Sequence, residues 1–417
     1  MIVLLEARNF RMLRISSVAL HPFQVLVGQN ATGKSTFLGA LQLIADALRG
    51  GAKFAVASIA PTFYDLCFRP DKPISLAVEI AVPEEAARRY LRYEIEIGID
   101  VKSGLRVLHE NLFILPSPSQ PSRFSDGVGL PFLELLEAVA AAHPIVHESA
   151  PRTWRKVVSK TKEGRDYFRD EKTAWNSVFR FGPDKAALGS LPEDPDRFPL
   201  SIAARNALRD GIRALVLNTA EMRSSSAPGA STKMALDGSN LPHVVHAFQK
   251  RDPILFEQWV KQVAVAVEGL ETVSVREREE DRHLILEARF SGEHREPVPS
   301  WMLSDGTLRL MALTLINFAA TEDDLDAYLI EEPENGLHPL AIQVVYDALS
   351  RPAANTQILC ATHSPILLAQ TKLEETLTFR RAPEGYAIVR RGPEIPELQE
   401  WSGRESIADL FVTGVLA

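Results

Sequence analysis

The sequence predicts an α/β fold that combines a mixed or parallel core sheet, flanked by helices, with an antiparallel β-subdomain. Three stretches of the chain support this prediction. A buried strand, a glycine-rich loop and a helix follow one another within residues 23–44, and strand patterns fill residues 74–115. Strand and helix patterns then alternate from about residue 273 to the C-terminus, which is typical of a sheet covered by helices.

The glycine-rich loop fits the phosphate-binding pattern G-x-x-x-x-G-K-[ST] at each fixed position over residues 28–36. The apolar strand pattern 23–27 precedes it and the helical pattern 37–44 follows it. At such a turn, backbone N–H groups and the helix dipole point into one concavity that binds a polyphosphate anion. The sequence therefore predicts a nucleotide phosphate site here.

Each residue type in this loop has a physical role. Gly28 and Gly33 permit the tight backbone, Lys34 reaches the β- and γ-phosphates, and the Ser35 hydroxyl can ligate Mg²⁺. We therefore expect ATP and Mg²⁺ as cofactors. The predicted cofactor-binding residues of the loop are Gly28, Asn30, Gly33, Lys34, Ser35 and Thr36.

Composition restricts the class of protein. The 417 residues are 46% apolar and 24% charged, values of an ordinary globular protein with two or three packed units. No apolar run approaches the ~18–20 residues of a membrane span, and the first residues lack the pattern of a signal peptide. Cys67 and Cys360 are expected to be buried thiols without a disulfide or metal. We therefore expect a cytoplasmic protein without membrane contact.

The net charge of −8 gives no global basic surface, so any contact with DNA or RNA must be local. Residues 151–185 form the one suitable basic segment, because they carry ten Lys or Arg residues against five Asp or Glu, interleaved with six aromatic residues. This composition suits phosphate neutralisation with base stacking. An amphipathic surface helix whose aromatic side chains enter the core explains it equally well.

The chain divides into three segments by pattern. Residues 1–115 contain the phosphate loop and a β-meander, in which the alternation at 93–97 predicts one solvent-facing surface. Residues 116–240 are predicted to form an irregular, mostly helical insert, with helices near 132–142 and 202–217. Residues 241–417 carry the remaining chemistry. No sustained heptad repeat occurs, which excludes long coiled-coil arms.

Three further motifs follow in a fixed order in this last segment. Ser304 and Gly306 precede a helix and form a second anion site from a hydroxyl and backbone N–H groups. The apolar strand 327–330 ends in Glu331 and Glu332, where the first acid can hold Mg²⁺ and the second can polarise an attacking water. His363 ends another apolar strand, from which it can sense a γ-phosphate. We predict Glu331, Glu332 and His363 as catalytic residues, with Ser35 and Glu331 on the metal.

These motifs together, at residues 28–36, 303–307, 329–339 and 362–365, resemble those of the ABC-type ATPases of the SMC/RecF/Rad50 and OLD group. The string Ile-Glu-Glu-Pro-Glu-Asn-Gly-Leu-His-Pro from residue 330 is similar to the branch of AAA-type ATPases in OLD-type and Septu-type anti-phage systems. The resemblance covers roughly residues 1–115 and 240–417. The resemblance implies a P-loop NTPase fold in the form of an ABC-ATPase head, which consists of two lobes.

The resemblance also implies an assembly and further site residues. The phosphate loop at 28–36 (Walker A) and the strand end with Glu331 and Glu332 (Walker B) of one subunit would meet the signature motif, residues 303–307, of the other in an ATP-driven homodimer. Arg11 matches an N-terminal motif whose arginine approaches the nucleotide. Two positions depart from the general pattern: Asp305 stands where ABC transporters usually have Gly, and Glu331 where many relatives have Asp.

OLD nucleases carry a C-terminal Toprim domain, for which too few residues follow His363 in this sequence. We therefore expect an ATPase that cuts no nucleic acid itself and acts as sensor or motor of a DNA-associated anti-phage complex. A separately encoded nuclease or toxin would be its effector. The alternative is a RecF-like repair ATPase that binds DNA structures and loads partners. A transporter subunit is disfavoured by the signature sequence.

Overall fold

The computed structural model of the protein describes residues 1–84, 87–121, 144–161, 164–292, 296–321, 325–351, 355–395 and 406–413. In this part of the chain the strands are β1 (Ile2–Phe10), β2 (Leu13–Ala19), β3 (Phe23–Val27), β4 (Ile74–Glu84), β5 (Ala87–Asp100), β6 (Gly104–Leu115), β7 (Arg155–Lys160), β8 (Asp166–Arg169), β9 (Asn176–Phe179), β10 (Ile212–Leu215), β11 (Leu270–Glu277), β12 (Leu284–Phe290), β13 (Val298–Pro299), β14 (Ala327–Glu331), β15 (Gln357–Thr362), β16 (Thr376–Arg381) and β17 (Ala387–Arg391). The helices are α1 (Lys34–Gly50), α2 (Ala52–Ile59), α3 (Pro199–Arg209), α4 (Thr219–Met222), α5 (Leu241–Arg251), α6 (Pro253–Ala264), α7 (Asp305–Ala319), α8 (Pro339–Leu349), α9 (Pro365–Leu368) and α10 (Ile407–Val412).

The strands form three sheets. The largest is antiparallel, with the order β2-β1-β4-β5-β6-β7-β8-β9. The core sheet has the order β10-β14-β15-β3-β16-β17 and is parallel except for β17 at its edge. A small antiparallel sheet, β11-β12-β13, lies in the C-terminal half. The predicted α/β fold, with an antiparallel subdomain and a mixed core sheet, is confirmed.

The core sheet separates two apolar cores, because successive side chains of a strand point to opposite faces. On β14, Leu329 packs in the same core as Leu41 of α1 and the antiparallel sheet. Its neighbour Tyr328 packs in the other core, with Met311 of α7. The same alternation holds on β15. Helix α1 therefore covers one face of the core sheet, and α7 covers the other.

The prediction that one face of the meander is exposed to solvent is wrong. The polar side chains that alternate with the core residues of β5, Arg92 and Glu94, are almost fully buried. Arg92 pairs with Glu94, with Glu79 on β4 and with Glu6 on β1, and it donates to the carbonyl of Ile145. Residues 144–147 lie over this face and give the buried charges hydrogen-bond partners, which the alternation pattern could not indicate.

Residues 116–240 also differ from the helical expectation. The helix predicted at 202–217 ends at Arg209, and Ile212–Leu215 is a strand that pairs in parallel with β14. Gly211 lies between the helix and the strand, and its lack of a side chain allows the close approach of Leu325, because a Cβ there would lie 2.3 Å from the Leu325 carbonyl oxygen. The helix predicted near 132–142 lies outside the described residues.

The basic segment 151–185 forms strands β7, β8 and β9, so the alternative of an amphipathic helix is wrong. These strands extend the antiparallel sheet of residues 1–115, and β10 joins the core sheet, which combines β3 with strands of residues 241–417. The described part of the insert thus contributes strands to both sheets, because β7 pairs with β6 and β10 pairs with β14. The division into three segments stays a prediction about the sequence.

Two smaller observations complete the fold. Cys67 and Cys360 are free thiols; Cys360 is buried as expected, whereas Cys67 is only half-buried. Partial burial raises the pKa of the Cys67 thiol to about 11. Among the residues described above, no helix is long and apolar enough to cross a membrane.

Candidate nucleotide site

The phosphate loop joins β3 to α1, as the sequence predicts, and two of its positions require glycine. Gly33 has φ 109°, in the left-handed region, and a Cβ on it would lie 2.8 Å from Cβ of Ala387. A Cβ on Gly28 would lie 2.5 Å from the carbonyl oxygen of Phe379. Strands β16 and β17 thus pack directly against the loop. This packing restricts the conformation of the loop backbone.

The Lys34 ammonium lies inside this loop. Its Nζ donates to the carbonyl oxygens of Gly28, at 2.6 Å, and Gln29, at 2.9 Å. Partial burial lowers the pKa of Lys34 from its usual value, and the carboxylates of Glu332 and Glu331 oppose this shift. A cation held among carbonyl oxygens and two acids is suited to exchange these partners for phosphate oxygens.

Ser35 and Glu331 meet although 296 positions separate them in the sequence. The Ser35 hydroxyl donates to Oε2 of Glu331 at a distance of 2.5 Å. A hydroxyl and a carboxylate side by side are the oxygen donors that suit Mg²⁺, which retains waters and phosphate oxygens as its other ligands. In the described residues no cluster of three or more His, Cys, Asp or Glu could hold a metal ion. The Ser35 hydroxyl and the Glu331 carboxylate are therefore the protein groups that would hold a metal here, and these oxygen donors fit Mg²⁺.

Glu332 and His363 lie at the ends of the adjacent parallel strands β14 and β15. Nδ1 of His363 is 3.5 Å from Oε1 of Glu332, and Asn335 donates to Oε2 at 2.7 Å. The Glu332 backbone has φ 48°, an uncommon conformation for a non-glycine residue, and its N–H donates to the carbonyl of Ala361. The tertiary structure therefore holds this carboxylate in a defined place beside the histidine.

Glu334 and Thr362 complete the polar end of these strands, and sequence reasoning assigned them no role. The Thr362 hydroxyl donates to Oε1 of Glu334 at 2.6 Å, and the Glu334 carboxylate also raises the pKa of Lys34 against the effect of burial. Asn335 was missed as well. Glu334 and Asn335 had a signal in the string from residue 330, in which they follow the two predicted acids, and Thr362 directly precedes the predicted His363.

Ser304 caps the N-terminus of α7. Its Oγ accepts from the backbone N–H of Thr307 at 3.1 Å, as the sequence predicts for a helix start. A Cβ on Gly306 would lie 3.0 Å from the carbonyl oxygen of Gly336, so this turn packs against the loop that follows Glu332. Helix α7 covers the face of the core sheet opposite to α1. The structure therefore does not bring Ser304 and Gly306 onto the face where α1 lies.

Arg11 and Asn30 lie at the margin of the site. Arg11 is in the turn between β1 and β2, and its guanidinium donates to the carbonyl of Ile59 at the end of α2. The next residue, Met12, has its Cβ 3.8 Å from a Cβ built on Gly33, so this turn adjoins the loop. Asn30 is exposed in the loop, whereas Thr36 is buried in the first turn of α1.

Comparisons with known proteins identify a family and a fold. The family described as "AAA domain, putative AbiEii toxin, Type IV TA system" matches residues 154–369, just over half of the chain. That range contains the signature turn, the two acids and His363, and it begins after the phosphate loop. Comparison with curated proteins gives no match.

Two similar solved structures are heads of SMC proteins. An SmcHead bound to the C-winged helix domain of ScpA shares 15% identity and a TM-score of 0.52, covering 93% of this chain and 96% of that chain. An Smc head domain with an extended coiled coil, bound to the C-terminal domain of ScpA derived from Pyrococcus furiosus, shares 12% identity and a TM-score of 0.50, covering 96% and 98%. The chain thus has the fold of an SMC head, in agreement with the fold that the sequence motifs imply.

Proposed function

The chain belongs to this AAA-domain family, and from that premise we propose that it binds ATP with Mg²⁺ at residues 28–36 and hydrolyses ATP to ADP and phosphate. One observation carries the proposal: the Ser35 hydroxyl lies 2.5 Å from the Glu331 carboxylate. Two motifs at opposite ends of the chain thus supply the two protein oxygens of a Mg²⁺–phosphate site.

The side chains around the Ser35–Glu331 contact have separate roles in the proposed hydrolysis. The loop N–H groups and Lys34 bind and neutralise the phosphates. Mg²⁺, when bound by Ser35 and Glu331, would offset the charge that develops on the phosphate oxygens. Glu332 accepts the proton of the attacking water, and His363, beside it, orients that carboxylate and contacts the γ-phosphate.

Lys34→Ala tests the proposal. The substitution removes the charge that meets the phosphates, so ATP affinity and turnover should both be lost while the fold is retained. Calorimetric titration with Mg²⁺ and ATP measures the affinity, and phosphate release measures turnover. Lys53→Ala, at an exposed lysine on α2, is the matched control and should behave as wild type. Unchanged ATP affinity in Lys34→Ala contradicts the assignment of the loop.

We further propose that ATP joins two copies of the chain. Ser304 and Gly306 lie at the start of a helix on the other face of the core sheet from α1. In this proposal a second chain supplies them to a nucleotide bound at Lys34. A two-fold axis completes both sites at once. The neighbouring side chains of Trp301 and Met302 are exposed, 52% and 68%, and would be covered in such a dimer.

Complementation of two inactive proteins tests this dimer. Ser304→Arg should bind ATP with nearly normal affinity but fail to hydrolyse it. Mixed with Glu332→Gln in equal amounts, it should recover about a quarter of wild-type turnover, because half of randomly paired dimers contain one intact composite site. Normal turnover by Ser304→Arg alone contradicts a signature that acts in the partner's site.

In the cell, we propose that this ATPase is the sensor or motor of an anti-phage complex whose effector is encoded separately. Support comes from the string at residues 330–339 and from a family description that names a toxin of a toxin–antitoxin system. The SMC heads with similar folds bind a separate protein, ScpA, in their structures. The alternative is a RecF-like ATPase that binds DNA structures and loads partners in repair.

Phage plating separates the two roles. Cells that carry the gene with its native neighbours should form fewer plaques than cells that carry Lys34→Ala, and deletion of the effector gene should abolish protection. The repair alternative instead predicts equal plaque counts with reduced survival of the Lys34→Ala strain after DNA damage. Contact with DNA or RNA through residues 151–185 is part of both proposals, since exposed aromatic side chains and cations lie together there.

A further inference from the structure

Arg223, at the end of α4, contacts the residues on both sides of Ser304. Its Nη1 lies 2.7 Å from Oδ1 of Asp305, and its Nη2 donates to the carbonyl oxygen of Leu303 at 3.0 Å. Its own carbonyl oxygen accepts from the Ser300 hydroxyl at 2.9 Å. One guanidinium thus contacts the residues on both sides of Ser304, Leu303 through its carbonyl oxygen and Asp305 through its carboxylate. No sequence motif pointed to Arg223.

Asp305 receives a second partner from the same short helix. The Thr219 hydroxyl and the Arg223 guanidinium both donate to its carboxylate and lower its pKa, which keeps it ionised. Asp305 is also the first residue of α7, where the helix dipole favours a negative charge. An aspartate in place of the usual glycine is therefore matched here by a specific cation.

The element that carries Arg223 is tied to the strand of the catalytic acids. Leu215, the last residue of β10, pairs with Ile330, which directly precedes Glu331. Eight positions further on the chain reaches Arg223, directly after Met222, the last residue of α4, whose buried side chain anchors this helix in the core. Ser226 then forms two backbone hydrogen bonds with Leu284. Arg223 is therefore held from both sides along the chain.

We propose that Arg223 is a positioning residue that sets the Ser304 turn for contact with the nucleotide bound by a second copy of the chain. This rests on the proposed ATP-dependent dimer. Without Arg223, the Asp305 carboxylate loses the guanidinium with which it forms an ion pair, and the Leu303 carbonyl loses a donor. Arg309 still contributes positive charge near Asp305, but the carboxylate next to the expected phosphate position is less well neutralised. Both changes disfavour approach of an anion to Ser304, whereas the loop around Lys34 is untouched.

Arg223→Met tests this role, because it keeps most of the side-chain length and removes the charge and donors. We expect ATP affinity of the single chain to change less than about twofold, and turnover per site to fall on the order of tenfold to a hundredfold, the usual result of misplacing a reacting group. Arg223→Lys retains the ion pair with Asp305 and should recover a large part of the loss. Arg209→Met, which removes another partly exposed Asp-paired arginine in the same segment, is the matched control with wild-type turnover.

A purely structural role is excluded by complementation. Arg223→Met retains its own Lys34 and Glu332, so mixing it with Glu332→Gln, whose Ser304 turn is intact, should restore turnover. Wild-type turnover in Arg223→Met, or failure of this mixture to recover activity, overturns the proposal. The Lys34→Ala protein separates it from the proposed function: turnover that survives Lys34→Ala contradicts the ATP site itself, whereas turnover lost in Lys34→Ala but kept in Arg223→Met contradicts only the role of Arg223.

Discussion

Two clusters of acidic side chains among the described residues differ in burial and in the groups that neutralise their charge. At the end of the core sheet, the side chains of Glu332 and His363 are 40% and 43% exposed and lie 3.5 Å apart. In the antiparallel sheet, the side chains of Glu79 and Glu94 are fully buried and surround Arg92, itself 3% exposed. The first cluster is open to a ligand, whereas the second is completed by the protein.

This difference shows which charges are available for chemistry. A buried carboxylate must have its cation and hydrogen bonds within the fold, since desolvation otherwise costs several kcal/mol. Glu79 accepts from Arg92 and from the N–H of Ser119, and Glu94 accepts from His147 and Asn111. The acids beside Lys34 remain exposed to solvent, so a cation and a phosphate can still reach them.

The largest effect is expected at the open cluster. Glu332→Gln should retain ATP binding but slow turnover on the order of a hundredfold or more, because an amide cannot accept the proton of the attacking water. Single-turnover hydrolysis and ATP affinity measure the two properties. Glu331→Gln is the companion variant: if it spares binding and stops turnover while Glu332→Gln does little, the two roles are reversed.

At the closed cluster, Arg92→Met should change stability and leave the ATP site intact. Removing the one guanidinium leaves three buried carboxylates without it, and the loss of one partner of a buried pair typically costs about 3–5 kcal/mol. Urea unfolding followed by circular dichroism gives the free energy of unfolding. Arg209→Met, at an exposed pair, should change it by less than about 0.5 kcal/mol. Equal effects of the two variants would show that the buried cluster does not stabilise the sheet.

Acid should also distinguish the clusters. Burial alone would raise the pKa of Glu94, but the hydrogen bond from His147 and the charge of Arg92 outweigh it, and the pKa lies below its usual value of 4.5. A depressed pKa in the folded state stabilises the protein above pH 4.5, and this stabilisation is lost as the pH falls through the folded pKa. In Glu94→Gln, the fall of unfolding free energy below pH 4.5 should therefore be less steep. An unchanged slope would contradict the ionised state of Glu94.

The smallest effect concerns the surface of the basic segment. Lys160 is buried against Asp166 and is not accessible to nucleic acid. Arg152, Lys172 and Arg180 are exposed and can contact phosphate groups. Reversing these three charges to Glu should weaken DNA binding and reduce its salt slope by about one unit per lost phosphate contact. Binding titrations at several salt concentrations measure the slope.

The matched control reverses three exposed lysines outside the basic segment, Lys53, Lys102 and Lys261. Both triple variants have the same net charge, so a specific contact lowers the slope only in the first. Equal slopes in the two proteins would return the basic segment to an ordinary solvated surface, although Trp175 remains 75% exposed there.

The sequence by itself determined the fold class and the backbone framework of the phosphate loop. Strand β3, the loop and α1 are contiguous, so the spacing of Gly28, Gly33 and Lys34 is a local property of the chain. The same is true of the acids that end β14, the histidine that follows β15 and the cap at Ser304. Local patterns fix local geometry, which is why these elements could be predicted from residue types and spacing.

Only the tertiary structure decided which distant residues meet. The strand identity of Ile212–Leu215 and the placement of α1 and α7 on opposite faces depend on sheet order. Sheet order also sets the 2.5 Å contact of Ser35 with Glu331, two residues that the sequence predicted as ligands of one metal without giving their geometry. Burial of Arg92 and Glu94 depends on residues 144–147 lying over an apparently polar face. Such outcomes depend on pairing between segments far apart in the chain, and the free energy of that pairing is not encoded in any one local pattern.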